Sequence, residues 1–274
     1  MGLMMKHILL LTILVSMASC VPEEVKTSNP QSARWNLSRN NFPLEMKLSS
    51  DFNISEKSEI RSSSSNWDSS VGGGVTLLND TQETSPKSND LDSYNDGTMG
   101  IYKVFNWPNE LPDSALAVTQ LFGIRKNIGT SNEYIEITHA DILINYDNDF
   151  NYFTTQGYDL QTVVLHEMGH FLGLFHQDTS RDVSVMYPSI SRFTNNRIPK
   201  QRDVNDIKSL YPVGGGAAPA QSGRGLASAS AQDSGPSEAV VVLFELKAEG
   251  GENVIIRNQK TNKIISHDTA GCEH

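Results

Sequence analysis

Short apolar stretches, separated by polar and glycine-rich segments, run through most of this chain. Residues 42–48 alternate between apolar and polar side chains, which is typical of a half-buried strand. Further strands are predicted at 75–78, 100–105, 115–121 and 134–146, where apolar residues dominate. The pattern therefore predicts a domain built around a β-sheet.

Two helices are predicted from their N-cap residues and apolar spacing. Ser55, followed by acidic residues, is the expected N-cap of a helix that carries Ile60 and Trp67 on one face. Asp159 is the expected N-cap of the second helix, whose apolar residues 163–165 pack inward. This second helix continues into the segment that carries the chemistry.

Residues 166–176 read HEMGHFLGLFH and have the spacing of a metal site. His166 and His170 lie four positions apart, so they share a helix face and can bind one ion. Gly173 follows where a helix can end and the chain can turn, which would bring His176 round as a third ligand. Three histidines leave one position of tetrahedral zinc open for water, as in catalytic sites.

Glu167 lies beside these histidines and is expected to act as the general base. Zinc would lower the pKa of a bound water and polarise a scissile carbonyl. Glu167 would take the proton of the water and pass it to the leaving amine. A bare H-E-x-x-H also occurs by chance, but the glycine and third histidine in register favour the metal site.

The extended pattern, followed by a methionine turn, is the signature of the metzincin metalloproteases. Met186, in the run Ser-Val-Met-Tyr-Pro, resembles the Met-turn of the matrixin branch, the matrix-metalloproteinase-like enzymes. Residues 139–145, 203–211 and 115–119 are similar to matrixin segments as well. The resemblance implies an α+β fold with a twisted mixed β-sheet, the active-site helix and a small C-terminal subdomain.

The resemblance also implies roles for residues around the zinc. Met186 would form an apolar floor under the histidines, and an extended substrate would lie along the edge strand of the sheet. A hydrophobic pocket for the P1′ side chain would be walled by Tyr187, Pro188, Ser189 and Ile190. Asp141 matches a position that binds calcium in some matrixins, although solvated turn residues are the preferred interpretation of the acids in this region.

Three departures from the matrixin pattern bear on branch, metal content and latency. Gln177 follows the third histidine and does not settle the branch. His139 is the one histidine between Trp35 and His166, so the second, structural zinc of animal matrixins is not expected. The cysteine-switch motif Pro-Arg-Cys-Gly is absent too, so any latency would need another device.

The N-terminal residues resemble an export signal. An apolar run at 8–15 is too short to span a bilayer, and 17–20 resembles a bacterial lipobox in which Cys20 is lipidated. A plain secretory signal is the alternative. The expected product is an exported protein, anchored by lipid in the bacterial cell envelope or at the cell surface, or otherwise secreted.

The remaining chain divides by composition, with the tail at 238–274 too short to bury much core alone. Strands are predicted there at 239–246 and 254–257, and an adhesion hairpin, a secretion element and a remnant stay open as its role. The expected boundaries are 1–20 for the signal, 21–33 for a tether or short pro-segment, 34–212 for the catalytic domain, 213–237 for a low-complexity linker and 238–274 for the tail.

Charge and cysteine content exclude some classes of partner. The 274 residues carry a formal net charge of −10 and no basic stripe, so nucleic acid is not an expected partner. Only Cys20 and Cys272 occur, so no disulfide framework is expected if Cys20 carries lipid. A monomer is expected.

Together these features predict a zinc-dependent endopeptidase that hydrolyses extracellular or envelope proteins. A surface-binding lipoprotein with a decayed peptidase domain is the alternative from another class, against which the intact Glu167 and histidines argue. A different metzincin branch, or a peptidase that cuts only its own pro-segment, would share the same ligands. Tyr187, Pro188 and the closing helix at 203–211 favour the matrixin branch.

Overall fold

The structure is a computed structural model. It describes residues 30, 32–38, 41–151, 157–177, 180–211, 213, 235–248 and 253–268. The predicted export signal with Cys20, most of the tether and most of the linker lie outside these residues, and so does Cys272. Among the helices that the structure describes, none has the length and apolar character needed to cross a bilayer.

Thirteen strands, three α-helices and one 3-10 helix make up the described part of the chain. In chain order the elements are β1 (Ala33–Trp35), β2 (Leu44–Glu45), β3 (Lys47–Ser49), α1 (Ile54–Val71), β4 (Leu78–Asn79), β5 (Glu83–Thr84), a 3-10 helix (Leu91–Tyr94), β6 (Gly100–Val104), β7 (Ala115–Lys126), β8 (Tyr134–Asn145), β9 (Phe150–Asn151), β10 (Tyr158–Asp159), α2 (Leu160–Phe171), α3 (Gln201–Leu210), β11 (Ser237–Lys247), β12 (Asn253–Asn258) and β13 (Ile264–Asp268). The strands predicted at 100–105, 115–121 and 134–146 are thus confirmed, with β7 longer than expected. The strand predicted at 75–78 is wrong in extent, because strand pairing there begins only at Leu78.

One mixed sheet holds most of the strands, as predicted. Its order is β13-β12-β11-β7-β8-β6-β3-β5, and β1 pairs with β8 off this path. Strand β7 runs antiparallel to β8, whereas β6 is parallel to both β8 and β3. The α+β class expected from the sequence is therefore confirmed.

Helix α1 begins two residues earlier than the sequence predicted. Its N-cap is Asn53, not Ser55. The Asn53 side chain accepts a hydrogen bond from the amide of Glu56 (3.0 Å), and the Glu56 carboxylate accepts one from the amide of Asn53 (2.6 Å). This reciprocal capping box satisfies two amides that a cap at Ser55 would leave open. Ile60 and Trp67 are fully buried, as predicted.

The core under the sheet is formed by α1 and α2. Trp67 of α1 donates from its indole nitrogen to the carbonyl of Leu165 in α2 (3.0 Å). Ser63, one of four consecutive serines, donates to the carbonyl of Gln161 (3.0 Å). The small side chain of Ser63 therefore allows the two helices to approach closely, and the two bonds fix the position of α2 relative to α1.

The C-terminal strands belong to the same sheet as the rest. The strands predicted at 239–246 and 254–257 are confirmed as β11 and β12. Strand β11 pairs antiparallel with β7 along its whole length, from Ser237 opposite Lys126 to Lys247 opposite Ala115. The side chains of β11 that enter the main hydrophobic core are Val240, Val242, Phe244 and Leu246. The tail therefore buries its apolar residues against the domain that precedes it.

Candidate metal centre

The three histidines singled out in the sequence meet at one point. The Nε2 atom of His170 lies 3.0 Å from that of His166 and 3.0 Å from that of His176. The Nε2 atoms of His166 and His176 are 3.2 Å apart. Tetrahedral zinc with bonds of 2.0–2.1 Å separates its ligand nitrogens by about 3.3 Å. The spacing of the three nitrogens therefore fits one zinc ion.

The orientation of two of these rings fits a metal as well. Nδ1 of His166 is 2.8 Å from the carbonyl oxygen of Val185, and Nδ1 of His170 is 2.7 Å from that of Leu174. A carbonyl only accepts, so Nδ1 carries the proton and each Nε2 presents its lone pair to the common point. Burial lowers the pKa of His166 to about 3 and that of His170 well below its ordinary value. Neutral imidazoles with converging lone pairs are the donor set that zinc prefers.

Gly173 allows His176 to reach the other two histidines. Its φ of +97° lies in the left-handed region that favours glycine. A Cβ at this position would lie 2.2 Å from the main-chain oxygen of Ala33. The amide of Gly173 donates to the carbonyl of His170 (2.8 Å), which closes the end of α2. The chain can then reverse and bring His176 back beside the helix.

Glu167 is fully buried, and one oxygen of its carboxylate has a partner. Oε2 accepts a hydrogen bond from the hydroxyl of Thr119, whereas Oε1 has none from the residues that the structure describes. Burial raises the pKa of Glu167 to about 8, against the opposing effect of the bond from Thr119. A buried oxygen without a bond, next to three metal ligands, is the feature expected where a water molecule or substrate atom would complete the site.

Comparison with known proteins identifies the family. The family model of the matrixins (Peptidase M10) matches residues 74–212, which is just over half of the chain. This chain belongs to the matrixin family. The match includes α2 and all three histidines, so the family assignment supports a zinc metallopeptidase.

Curated relatives match this matrixin over short segments only. The chain is 41% identical over 59 residues to metalloendoproteinase 1 of Glycine max, which is 22% of this chain and 19% of that protein. It is 36% identical over 70 residues to interstitial collagenase A of Mus musculus, which is 25% of this chain and 14% of that protein. The matched segments thus span about a fifth or less of these relatives.

Met186 of this matrixin packs directly against α2. A Cβ on Gly169 would lie 2.3 Å from the Met186 sulfur, so glycine at this position makes room for the methionine. The preceding residue, Val185, supplies the carbonyl that orients His166. The turn at Met186 is therefore in contact with the helix face that bears the histidines.

Asp203 in the first turn of α3 holds the Met186 turn in place. Its buried carboxylate accepts hydrogen bonds from the hydroxyl of Ser184, from the amide of Val185 (3.0 Å) and from the amide of Lys200 (2.7 Å). Residues 203–211 were singled out for their similarity to a matrixin segment, and the role of Asp203 within them was not predicted. The available signal was an acid three residues after the N-cap, where a carboxylate can accept backbone amides.

Thr119 of β7 was missed as well. It appeared only within the stretch 115–119, which is similar to a matrixin segment, and no spacing rule connects it with Glu167. The contact depends on how β7 lies across α2. The structure was therefore needed to find it.

Asp141 is buried inside the sheet and bound by protein groups. One oxygen accepts from the amide of Gly100 (3.0 Å), and the other is 2.7 Å from Nε2 of His139. Desolvation raises its pKa. In the described part of the chain, His166, His170 and His176 form the group of three or more potential ligands that could hold a metal, and Asp141 is not part of one. Calcium at Asp141 stays a prediction.

The segment expected to line the substrate pocket lies next to β11. The amide of Ile190 donates to the carbonyl of Lys247 (3.0 Å), and Ser189 forms a parallel bridge with Lys247. Tyr187 and Pro188 connect this segment to Met186. Strand β7 pairs with β8 on one side and with β11 on the other, so it is not an edge strand in this structure.

Proposed function

We propose that this matrixin is a zinc-dependent endopeptidase in which His166, His170 and His176 bind the zinc and Glu167 is the general base. The observation that carries this proposal is the convergence of three oriented imidazoles beside a buried carboxylate with one unbonded oxygen. Structural zinc sites use four protein ligands, whereas a three-histidine set leaves room for water. The donor set therefore supports catalysis rather than structural binding.

Zinc, when bound, lowers the pKa of a water ligand and polarises the carbonyl of the scissile peptide bond. Glu167 would accept the proton of the attacking water on Oε1, while Thr119 holds Oε2 and fixes the plane of the carboxylate. The charge of bound zinc would lower the pKa of Glu167 from its raised value in the metal-free site, so the ionised carboxylate could take the proton and pass it to the leaving amine. Met186 and Asp203 position the histidines and do not touch the substrate.

An extended peptide is the substrate that this site would take. Its main chain would pair with the side of β7 that faces away from β8, as strands do when they extend a sheet. Its P1′ side chain would enter an apolar pocket next to the segment Tyr187, Pro188, Ser189 and Ile190. Extracellular or envelope proteins are the proposed substrates, since the sequence resembles that of an exported lipoprotein anchored through Cys20.

The test combines metal analysis with peptidase activity. The mature chain from residue 21 would be loaded with zinc and assayed on a mixture of unfolded proteins, with and without a chelator. We expect about one zinc per chain and chelator-sensitive cleavage. Because proton transfer by a positioned carboxylate contributes about 10²–10⁴-fold, Glu167→Gln should bind zinc but lose activity by at least that factor. Wild-type rates in Glu167→Gln would refute the mechanism.

A further inference from the structure

Strand β11 lies along the path that the proposed function assigns to the peptide substrate. On one side it pairs antiparallel with β7 over its full length, from Ser237 to Lys247. The side of β7 that faces away from β8 is thereby fully paired, and no second extended chain could pair with it at the same time. A substrate that binds to β7 must first displace β11.

The opposite side of β11 pairs with β12 from Val240 to Glu245, and beyond that pairing Lys247 bonds to the predicted pocket segment. The amide of Lys247 faces the carbonyl of Pro188 (3.5 Å), and its carbonyl accepts from the amide of Ile190 (3.0 Å). Lys247, at the end of β11, is therefore held between β7 on one side and the segment after Met186 on the other. A groove holds a residue of an extended peptide by its main chain in the same way.

The side chain of Phe244 covers the metal centre. Its ring stacks on the imidazole of His170, with centroids 4.3 Å apart and planes inclined by 14°, and its centroid lies 6.2 Å from that of His176. Its cross-strand neighbour is Thr119, the residue that binds Glu167. Phe244 is fully buried, and so are His166, His170 and Glu167. The ligands and the general base are thus closed off from solvent.

The far end of β11 is fixed by charge. Glu238 accepts from Nη1 of Arg125 (2.9 Å) and from the side-chain amide of Asn258 (3.2 Å). Arg125 is itself buried and bonded to Glu133. This contact lies on the strand pair well away from the histidines, where it affects how firmly β11 is held without touching the metal centre.

We propose that β11 is an intramolecular inhibitor that occupies the peptide-binding groove of this matrixin and lowers its peptidase activity. This inference rests on the proposed function. Residues 212–236 connect β11 to the end of α3, so β11 competes with substrate at an effective concentration on the order of millimolar. An external peptide at a lower concentration would be excluded until β11 is released.

The experiment compares zinc-loaded wild type, Phe244→Ala and Ile264→Ala in the mature full chain. Ile264 is exposed on β13 and serves as the matched control. A peptidyl hydroxamate reports access to the zinc, and a fluorogenic peptide reports hydrolysis. Because a buried aromatic ring is lost, Phe244→Ala should bind the hydroxamate at least about tenfold more tightly and hydrolyse the peptide at least about tenfold faster. Ile264→Ala should equal wild type.

The outcomes separate the inhibitor from the enzyme. Equal hydroxamate affinity in wild type and Phe244→Ala would overturn the proposed inhibitor, whatever the hydrolysis rates. Tighter hydroxamate binding without hydrolysis in any variant would keep the inhibitor and contradict the endopeptidase. Cleavage of the zinc-loaded chain inside β11, detected by intact mass, would make β11 a substrate and overturn its role as inhibitor.

A measurement on the unsubstituted chain covers the case in which Phe244→Ala fails to fold. Amide hydrogen exchange at 238–247 would be followed in wild type with increasing hydroxamate. Since the hydroxamate enters the groove only when β11 leaves, exchange in these amides should rise as the probe binds. Unchanged protection at full occupancy of the probe would show that β11 does not occupy the groove.

Discussion

Two segments close around the three histidines, and they differ in how far the local sequence shows their role. Helix α2 and the turn at Met186 carry a recognisable pattern, in which each ligand has a fixed spacing. Strand β11 carries only an apolar run that any buried strand could have, yet its Phe244 lies against His170. The chemistry of the site is thus a local property, whereas access to it depends on the pairing of strands more than a hundred residues apart.

Substitution of one histidine should have the largest effect, because it removes a zinc ligand that α2 contributes. Losing a group that only supports a ligand lowers metal affinity by about 10–100-fold. His170→Ala takes away one of the three ligands themselves, so its zinc affinity should fall by more than that. His267→Ala is the matched control, because His267 is exposed on β13. Zinc per chain after dialysis against a weak chelator is the measurement. Full zinc retention by His170→Ala would show that the three nitrogens do not bind one ion.

The turn after α2 is the next most sensitive point. Gly173→Ala combines left-handed backbone strain with a clash at 2.2 Å against Ala33, so it should cost about 2–5 kcal/mol of unfolding free energy and reduce zinc binding. Gly97→Ala isolates the strain, because Gly97 has a φ of +82° with nothing within 4 Å. Denaturant unfolding of both variants is the measurement, and equal losses would mean that the close approach to Ala33 does not matter.

Asp203 tests whether the Met186 turn needs its buried carboxylate. Asp203→Asn keeps the shape of the side chain but replaces one acceptor oxygen by a donor NH₂ group, which would face the Ser184 hydroxyl and the Val185 amide. The substitution should lower the free energy of unfolding by about 1–3 kcal/mol. Asp206→Asn on the same helix removes only a long ion pair with Arg202 (3.9 Å) and should cost less than about 1 kcal/mol. Thermal unfolding of both chains measures the difference. Equal shifts would contradict a special role for Asp203.

The smallest effect is expected at the far end of β11. Glu238→Ala removes the contact with Arg125 but leaves Phe244 in place, so peptide hydrolysis should rise by only about twofold to fivefold. Glu83→Ala removes the ion pair with Lys57 at the opposite edge of the sheet and should leave the rate unchanged. A fall in hydrolysis by Glu238→Ala would indicate that β11 supports the active site instead of blocking it.

Features of the fold that are set by residues close together in the sequence could be predicted. The strands β6, β7, β8, β11 and β12, the N-cap at Asp159 and the buried face of α1 followed from periodicity and capping preferences. The start of α1 was wrong because Asn53 and Ser55 are both good N-caps, and only Asn53 places Glu56 where it completes the capping box.

The contacts that sequence analysis missed join distant parts of the chain. Thr119 meets Glu167 only because β7 crosses α2, and Asp203 meets the Met186 turn only because α3 packs beneath it. For β11, the apolar run at 239–246 predicted a strand but not its neighbour. Pairing partners are selected by the whole sheet, and no turn of fixed length connects β11 to β7.

The most direct test of the central claim removes the inhibitor and then the base. Zinc-loaded Phe244→Ala and the double variant Phe244→Ala with Glu167→Gln would be compared for hydrolysis of one fluorogenic peptide at equal zinc content. We predict rapid, chelator-sensitive hydrolysis by the single variant and a loss of at least about 10²-fold in the double variant. Equal rates in the two, or no hydrolysis by the single variant with zinc bound, would contradict a peptidase that works through Glu167.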